Sequence, residues 1–209
     1  MKSLFSSLLF CCLLLTFGCG GQQADSTDTT DTTDNTENTD NTASTDNTDT
    51  PAESTYSTTV LKSDIASPRK EMTGTVGSVQ VTVNYGSPAV KGREIWGGLV
   101  PFGELWRTGA NEATTIKVDD ASVEGKALAA GKYSIFTVPN KDSWEIVFNS
   151  VAEQWGAYDY DKDKDVLRVS VTPTTAEEAV ENLNFIIEND ALVLQWENLR
   201  VPIKIGAGS

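Results

Sequence analysis

Over residues 79–85 the chain reads VQVTVNY, with valine or tyrosine at every odd position and a polar residue at every even one. Successive side chains of an extended strand point to opposite faces, so this run has one face for a core and one for solvent. Comparable segments recur at Thr114–Val118, Ser122–Leu128, Lys132–Val138, Trp144–Phe148, Val166–Val171, Leu183–Ile187, Leu192–Trp196 and Val201–Ile205. Turn chemistry separates them at Glu124-Gly125, Ala130-Gly131, Pro139-Asn140, Asn189-Asp190 and Asn198. Only Thr175–Val180 suggests a helical turn, because Thr175 and Glu178 stand at capping-box spacing. Short strands at this spacing predict an all-β fold, an antiparallel two-layer β-sandwich of jelly-roll-like or immunoglobulin-like kind.

That texture starts near residue 59, and what precedes it is different. Residues 1–18 carry one cation, Lys2, an apolar stretch from Leu4 to Phe17, and Gly18 immediately before Cys19. The apolar run is short for a membrane span. It resembles a lipoprotein signal peptide, which implies cleavage before an acylated Cys19 and a membrane as the first partner of the mature chain. Residues 20–58 alternate Asp, Glu or Asn with Thr, hold no Lys or Arg, and have too few large apolar residues to form a core. This composition predicts a disordered tether spanning roughly 35 Å on average. Asp25-Ser26-Thr27, Asp28-Thr29-Thr30 and Asp31-Thr32-Thr33 resemble an acceptor pattern for periplasmic O-glycosylation, and an unmodified spacer fits them equally. The expected organisation is therefore 1–18 signal peptide, 19–58 lipidated cysteine and tether, and 59–209 a single β domain. The expected location is the cell envelope, on the periplasmic or surface face of the outer membrane.

The formal charge of −14 is dominated by the tether, whereas residues 59–209 set 15 basic against 21 acidic residues and total −6. A net-acidic chain without a basic block is not built for phosphate backbones, so nucleic acid is set aside as a partner. There is no histidine, and all three cysteines (Cys11, Cys12, Cys19) precede the tether. Ser-His-Asp and Cys-His nucleophilic sites, and zinc sites built on His or Cys, are thereby excluded from the β domain. No cofactor is implied.

Between the first alternating run and Thr114 the sequence is less regular and chemically richer, reading YGSPAVKGREIWGGLVPFGELWRTGANEATT from Tyr85. Gly109 allows a tight turn that gathers Arg107, Asn111 and Glu112. Arginine offers a planar fork for carboxylate, phosphate or vicinal hydroxyls, and Asn and Glu supply the amide and acceptor common in polar-ligand sites. Arg93 in KGREIWG is read the same way. The architectural alternative, which we favour at this point, is that Arg107 pairs with Glu112 or another acid and pins the loop. Together with Ser67-Pro68-Arg69, the AGKYSIFTVP segment, WEIVFN, QWGAYDY and Asp165-Val166-Leu167-Arg168, this run resembles the uncharacterised exported family known as domain of unknown function 2911. The resemblance covers about Ser67–Ile205 and implies export, with no established activity.

A second cluster, residues 154–165, combines aromatics with Asp159, Asp161, Asp163 and Asp165. The calcium-loop template fails, because Lys164 stands where the tight turn needs glycine and no Glu closes the loop, so a charged hairpin tip is expected and no metal site. Of the five tryptophans, Trp144 and Trp196 lie on predicted strands and are assigned to the core. Trp96, Trp106 and Trp155 lie in or beside loops, where packing is the favoured role and stacking on a sugar ring the rival. The leading functional expectation is a non-catalytic module that binds a glycan or an envelope protein through Arg93, Trp106, Arg107, Asn111, Glu112 and Trp155. The rival is a glycan hydrolase using Glu112 and Asp165, which requires the two carboxyls to face each other at about 5–9.5 Å. A purely structural envelope role has no positive feature of its own.

Overall fold

The computed structural model describes residues 56–208. The signal peptide, Cys19 and the tether as far as residue 55 lie outside the described residues. The chain forms eleven strands: β1 (Tyr56–Lys62), β2 (Arg69–Val76), β3 (Val79–Gly86), β4 (Thr114–Val118), β5 (Ala121–Val123), β6 (Lys126–Leu128), β7 (Gly131–Val138), β8 (Trp144–Asn149), β9 (Asp165–Val171), β10 (Thr174–Glu188) and β11 (Ala191–Ala207). They build a seven-stranded antiparallel sheet in the order β1-β2-β3-β4-β7-β8-β9 and a four-stranded one in the order β10-β11-β5-β6. The larger sheet is a meander that follows the chain, interrupted where β5 and β6 leave for the other sheet.

Alternation explains how the layers meet. The odd residues of β3, Val79, Val81, Val83 and Tyr85, are buried and join one core cluster with Ile116, Ile135, Ile146 and Val169 of the same sheet and with Leu183, Phe185, Leu194, Ile203 and Ile205 of the other. The fold is thus the two-layer antiparallel arrangement that the patterning predicts. Strands β1 and β2 are not among those that the sequence predicts, and three of the predicted features differ in detail. Thr175–Val180 is part of β10 and not a helical turn: its pairing with β11, Thr175 to Leu199 and Val180 to Glu197, overrides local capping chemistry. Ser122–Leu128 is a hairpin of two short strands, because Glu124 and Gly125 both adopt positive φ. Asn198 does not break β11, since the irregularity is absorbed as a bulge at Glu197, whose φ is 53°.

Beyond Lys132 and Glu145, which are exposed, the outward faces of β7 and β8 are also covered. Outward-facing Phe136 and Val147 join Ala113 in a small second core, against which Leu105, Ala157 and Tyr160 pack. The covering segments are residues 87–113, between β3 and β4, and residues 150–164, between β8 and β9.

The first of these is stitched down along its length. Ser87 Oγ donates to Leu183 O at 2.6 Å, Val90 N to Glu181 O at 2.8 Å, and Trp106 and Thr137 exchange backbone bonds of 2.7 and 2.9 Å. Its far end rests on β3 through two glycines. A side chain at Gly86 would collide with the Ala110 carbonyl, and a Cβ at Gly109 would lie 2.9 Å from Gly86 O. Gly86→Ala should therefore lower unfolding free energy by on the order of 3 kcal/mol, the scale of an overpacked core, as read from urea denaturation. An unchanged denaturation midpoint would mean that the loop does not press on β3.

Candidate functional site

Two neighbouring cavities open on the surface that segment 87–113 builds. The larger, of about 650 Å³, lies over the outer face of β3, β4 and β7, with Asn84, Thr115 and Lys132 in its floor and Arg69, Asn111, Glu112, Glu153 and Trp155 among its walls. The smaller, of about 370 Å³, is lined by Pro88, Arg93, Leu99, Val100, Trp106, Arg107, Asn111 and Trp196, with Ser67, Gly109 and Ala110 completing it. Asn111 and Ser67 belong to both.

The larger cavity is organised by Arg69 at the start of β2. Its Nε donates to Asn84 Oδ1, one Nη lies 3.6 Å from Glu112 Oε2, and the other reaches the carbonyls of Asn84 and Ala113 at 3.2 and 3.4 Å. Burial lowers its pKa from the ordinary arginine value, with Glu112 and Glu153 opposing that shift. Arg69 therefore ties β2 to the end of segment 87–113. Opposite it, Lys132 pairs with Glu153. Glu112 and Trp155 face each other in an isolated antiparallel bridge, and Ala113 N donates to Gln154 O at 3.0 Å. Trp155 is held at the rim by its backbone while its side chain stays free: the residue is 58% exposed.

The other tryptophans behave differently. Trp96 packs edge-to-face against Trp144, Trp196 and Trp106 with ring centroids 5.0, 5.7 and 5.9 Å apart. Trp106 stacks on Trp196 at 6.0 Å and 18°. Trp96 and Trp106 thus serve loop packing, and Trp155 alone of the loop tryptophans offers an exposed indole face.

The backbone around the shared wall is unusual. Thr108 and Asn111 have φ of 58° and 65°, a region disfavoured for any side chain and most of all for a β-branched one. Thr108 is held there because its carbonyl accepts Thr114 Oγ1 at 2.7 Å and its hydroxyl lies 3.3 Å from Thr137 Oγ1. Strain of this kind persists where surrounding structure over-determines it.

The six expected ligand-binding residues are thereby divided. Arg93, Trp106, Arg107 and Asn111 line the smaller cavity, while Asn111, Glu112 and Trp155 line the larger. Arg107 does not pair with Glu112; that carboxylate goes to Arg69, and the Arg107 guanidinium makes no ion pair or hydrogen bond among the described residues, its Nε being buried without a partner. Arg93 donates Nε to Val90 O at 3.0 Å and an Nη to Ala89 O.

Asp165 lies in neither cavity. It accepts from Tyr160 Oη at 2.6 Å, from Arg168 Nε at 2.9 Å and from Asn149 Nδ2 at 2.9 Å, and its side chain is 8% exposed. Burial, followed by donation to Asp165, pushes the Tyr160 hydroxyl up to about 12. Asp161 caps a short 3-10 turn, Lys162–Lys164, by accepting from Asp163 N at 2.9 Å. The 154–165 segment is thus a hydrogen-bonded hairpin in which Asp165 is structural.

Sequence reasoning missed Arg69, Asn84, Thr115, Lys132 and Glu153. The one local signal was the Ser67-Pro68-Arg69 motif, and nothing in it shows that Arg69 meets an acid 43 residues away.

Residues 67–205 match the family described as Protein of unknown function (DUF2911). The chain belongs to this family. No curated protein and no solved structure matches the chain. Both cavities are built wholly within the DUF2911 domain apart from Lys62, Ile65 and Ala66, which border the larger one from the β1–β2 segment.

Proposed function

We propose that this chain is an envelope lipoprotein, anchored through Cys19 and displaying on its Thr/Asp tether a DUF2911 domain that binds a polar ligand, a glycan or a glycan-bearing envelope component, in the larger cavity. The observation that carries the reading is the exposed Trp155 indole at the rim of a 650 Å³ cavity whose walls alternate amide, carboxylate and cationic side chains. A flat apolar platform beside convergent donors and acceptors is the arrangement that a sugar ring's two faces and hydroxyls require. Arg69, bonded to Asn84 and the Ala113 carbonyl and paired with Glu112, is held in position, so it loses little freedom when a ligand enters.

Binding is favoured over hydrolysis by the placement of the carboxylates. Glu112 shares its cavity with Glu153 and not with Asp165. Glu112 and Glu153 have side chains 51% and 76% exposed, each beside a cation.

Calorimetric titration of the purified full-length protein with envelope oligosaccharides should find a ligand whose affinity falls about tenfold or more in Trp155→Ala, the scale of a lost aromatic stacking contact. Binding that is indifferent to this substitution would remove the larger cavity from consideration. Cys19→Ser should move the protein from the membrane to the soluble fraction after cell fractionation. Retention in the membrane would contradict a lipid anchor at that position.

A further inference from the structure

We propose that the smaller cavity is a separate ligand site, selective for a small organic anion: a planar oxyanion headgroup, carboxylate or phosphate, on a flat apolar body. The domain holds five arginines. Three are matched to carboxylates: Arg69 to Glu112, Arg168 to Asp165 and Glu145, and Arg200 to Glu188. The two that pair with no acid among the described residues, Arg93 and Arg107, line the same cavity, and no Asp or Glu lines it with them. In a domain of net charge −6, this concentrates uncompensated positive charge in one partly enclosed place.

The two guanidiniums are differently prepared. Arg93 is fixed by donating to the Val90 and Ala89 carbonyls. Those are neutral acceptors, so its charge is held in place without being cancelled. Arg107 is the unfinished group: its Nε is buried with no acceptor. No carboxylate or carbonyl compensates the Arg107 guanidinium among the described residues, so its charge is available to an anion in the cavity that Arg107 lines.

The remaining lining selects the ligand's body. Leu99 is exposed beside the charges and Trp106 shows an edge there, over a buried layer of Trp196, Val100 and Pro88, so part of the wall is apolar. A bare inorganic ion would leave that surface unused. The volume of about 370 Å³ is near the lower end for small-molecule sites and suits one ring or a short chain bearing the headgroup.

The test is titration of the purified full-length protein with benzoate, phenyl phosphate and the neutral isostere benzamide, followed by calorimetry and by the indole N–H resonances of Trp106 and Trp196. Benzoate, phenyl phosphate or both should bind and shift those resonances, and their relative affinity assigns the headgroup. Benzamide should bind at least about tenfold more weakly, as expected when a charge-assisted bond is lost. Arg107→Gln should weaken anion binding by a similar factor. Trp155→Ala should leave anion binding intact, so this site and the larger cavity stand or fall separately.

Equal affinity for benzamide and the anions, unaltered anion binding in Arg107→Gln, or no binding by either anion would overturn the proposal. Should Arg107→Gln fail to fold, the comparison of anion with amide on the unaltered protein decides alone.

Discussion

The contact on which the site depends is the seating of Trp96 among Trp106, Trp144 and Trp196. Segment 87–113 is long for a connection without regular structure, and such a stretch would ordinarily be mobile. Here it carries its own anchor. Trp144 and Trp196 belong to opposite sheets, so the loop's two tryptophans insert where the layers meet. Each edge-to-face pair contributes roughly 0.5–1.5 kcal/mol beyond simple burial. The indole nitrogens of Trp96, Trp144 and Trp196 are buried without acceptors, a cost set against that packing. With that anchor in place, the Gly86–Gly109 contact and the Arg69 bonds fix the far end of the loop. Arg107, Asn111 and Glu112 are then held at defined positions around the two cavities.

The architecture was legible wherever one strand face was apolar and the other polar. The predicted bounds of β4 coincide with the observed ones, and β3, β7, β8 and β9 differ from theirs by a residue or so at an end. Strand β2 escaped notice because RKEMTGTV buries only Met72 and Val76 and carries a glycine between them, which leaves no clear period. Strand β1 begins at Tyr56, within the stretch read from composition as tether, and most of its residues are exposed, so its pairing with β2 leaves little trace in hydropathy. Thr175–Val180 illustrates the opposite error, where a local capping signal yields to a long-range hairpin.

The site was partly legible for a related reason. Residue type and loop context singled out Arg93, Trp106, Arg107, Asn111, Glu112 and Trp155, all of which line one cavity or the other. What sequence could not supply was the pairing. Glu112 stands five residues from Arg107 and 43 from Arg69, yet it pairs with Arg69 because the β2–β3 register brings Arg69 beside the loop's end. That exchange of partners leaves Arg107 unpaired and changes its reading from an architectural clamp to a ligand-facing group. Asp165 moved the other way, from possible catalyst to the centre of a hydrogen-bonded hairpin. A family without an assigned activity thus gains two chemically distinct places in which to look for one, a polar cleft under Trp155 and a cationic pocket beside Trp106.

Both places depend on segment 87–113 being part of the core and not a flap over it. Hydrogen exchange of the tryptophan indole N–H groups, followed by NMR on the full-length protein, tests this most directly. The packing described predicts slow exchange for Trp96, Trp144 and Trp196 and fast exchange for Trp155. Exchange at Trp96 as fast as at Trp155 would mean that the loop is not seated between the sheets, and both cavities would lose their structural basis.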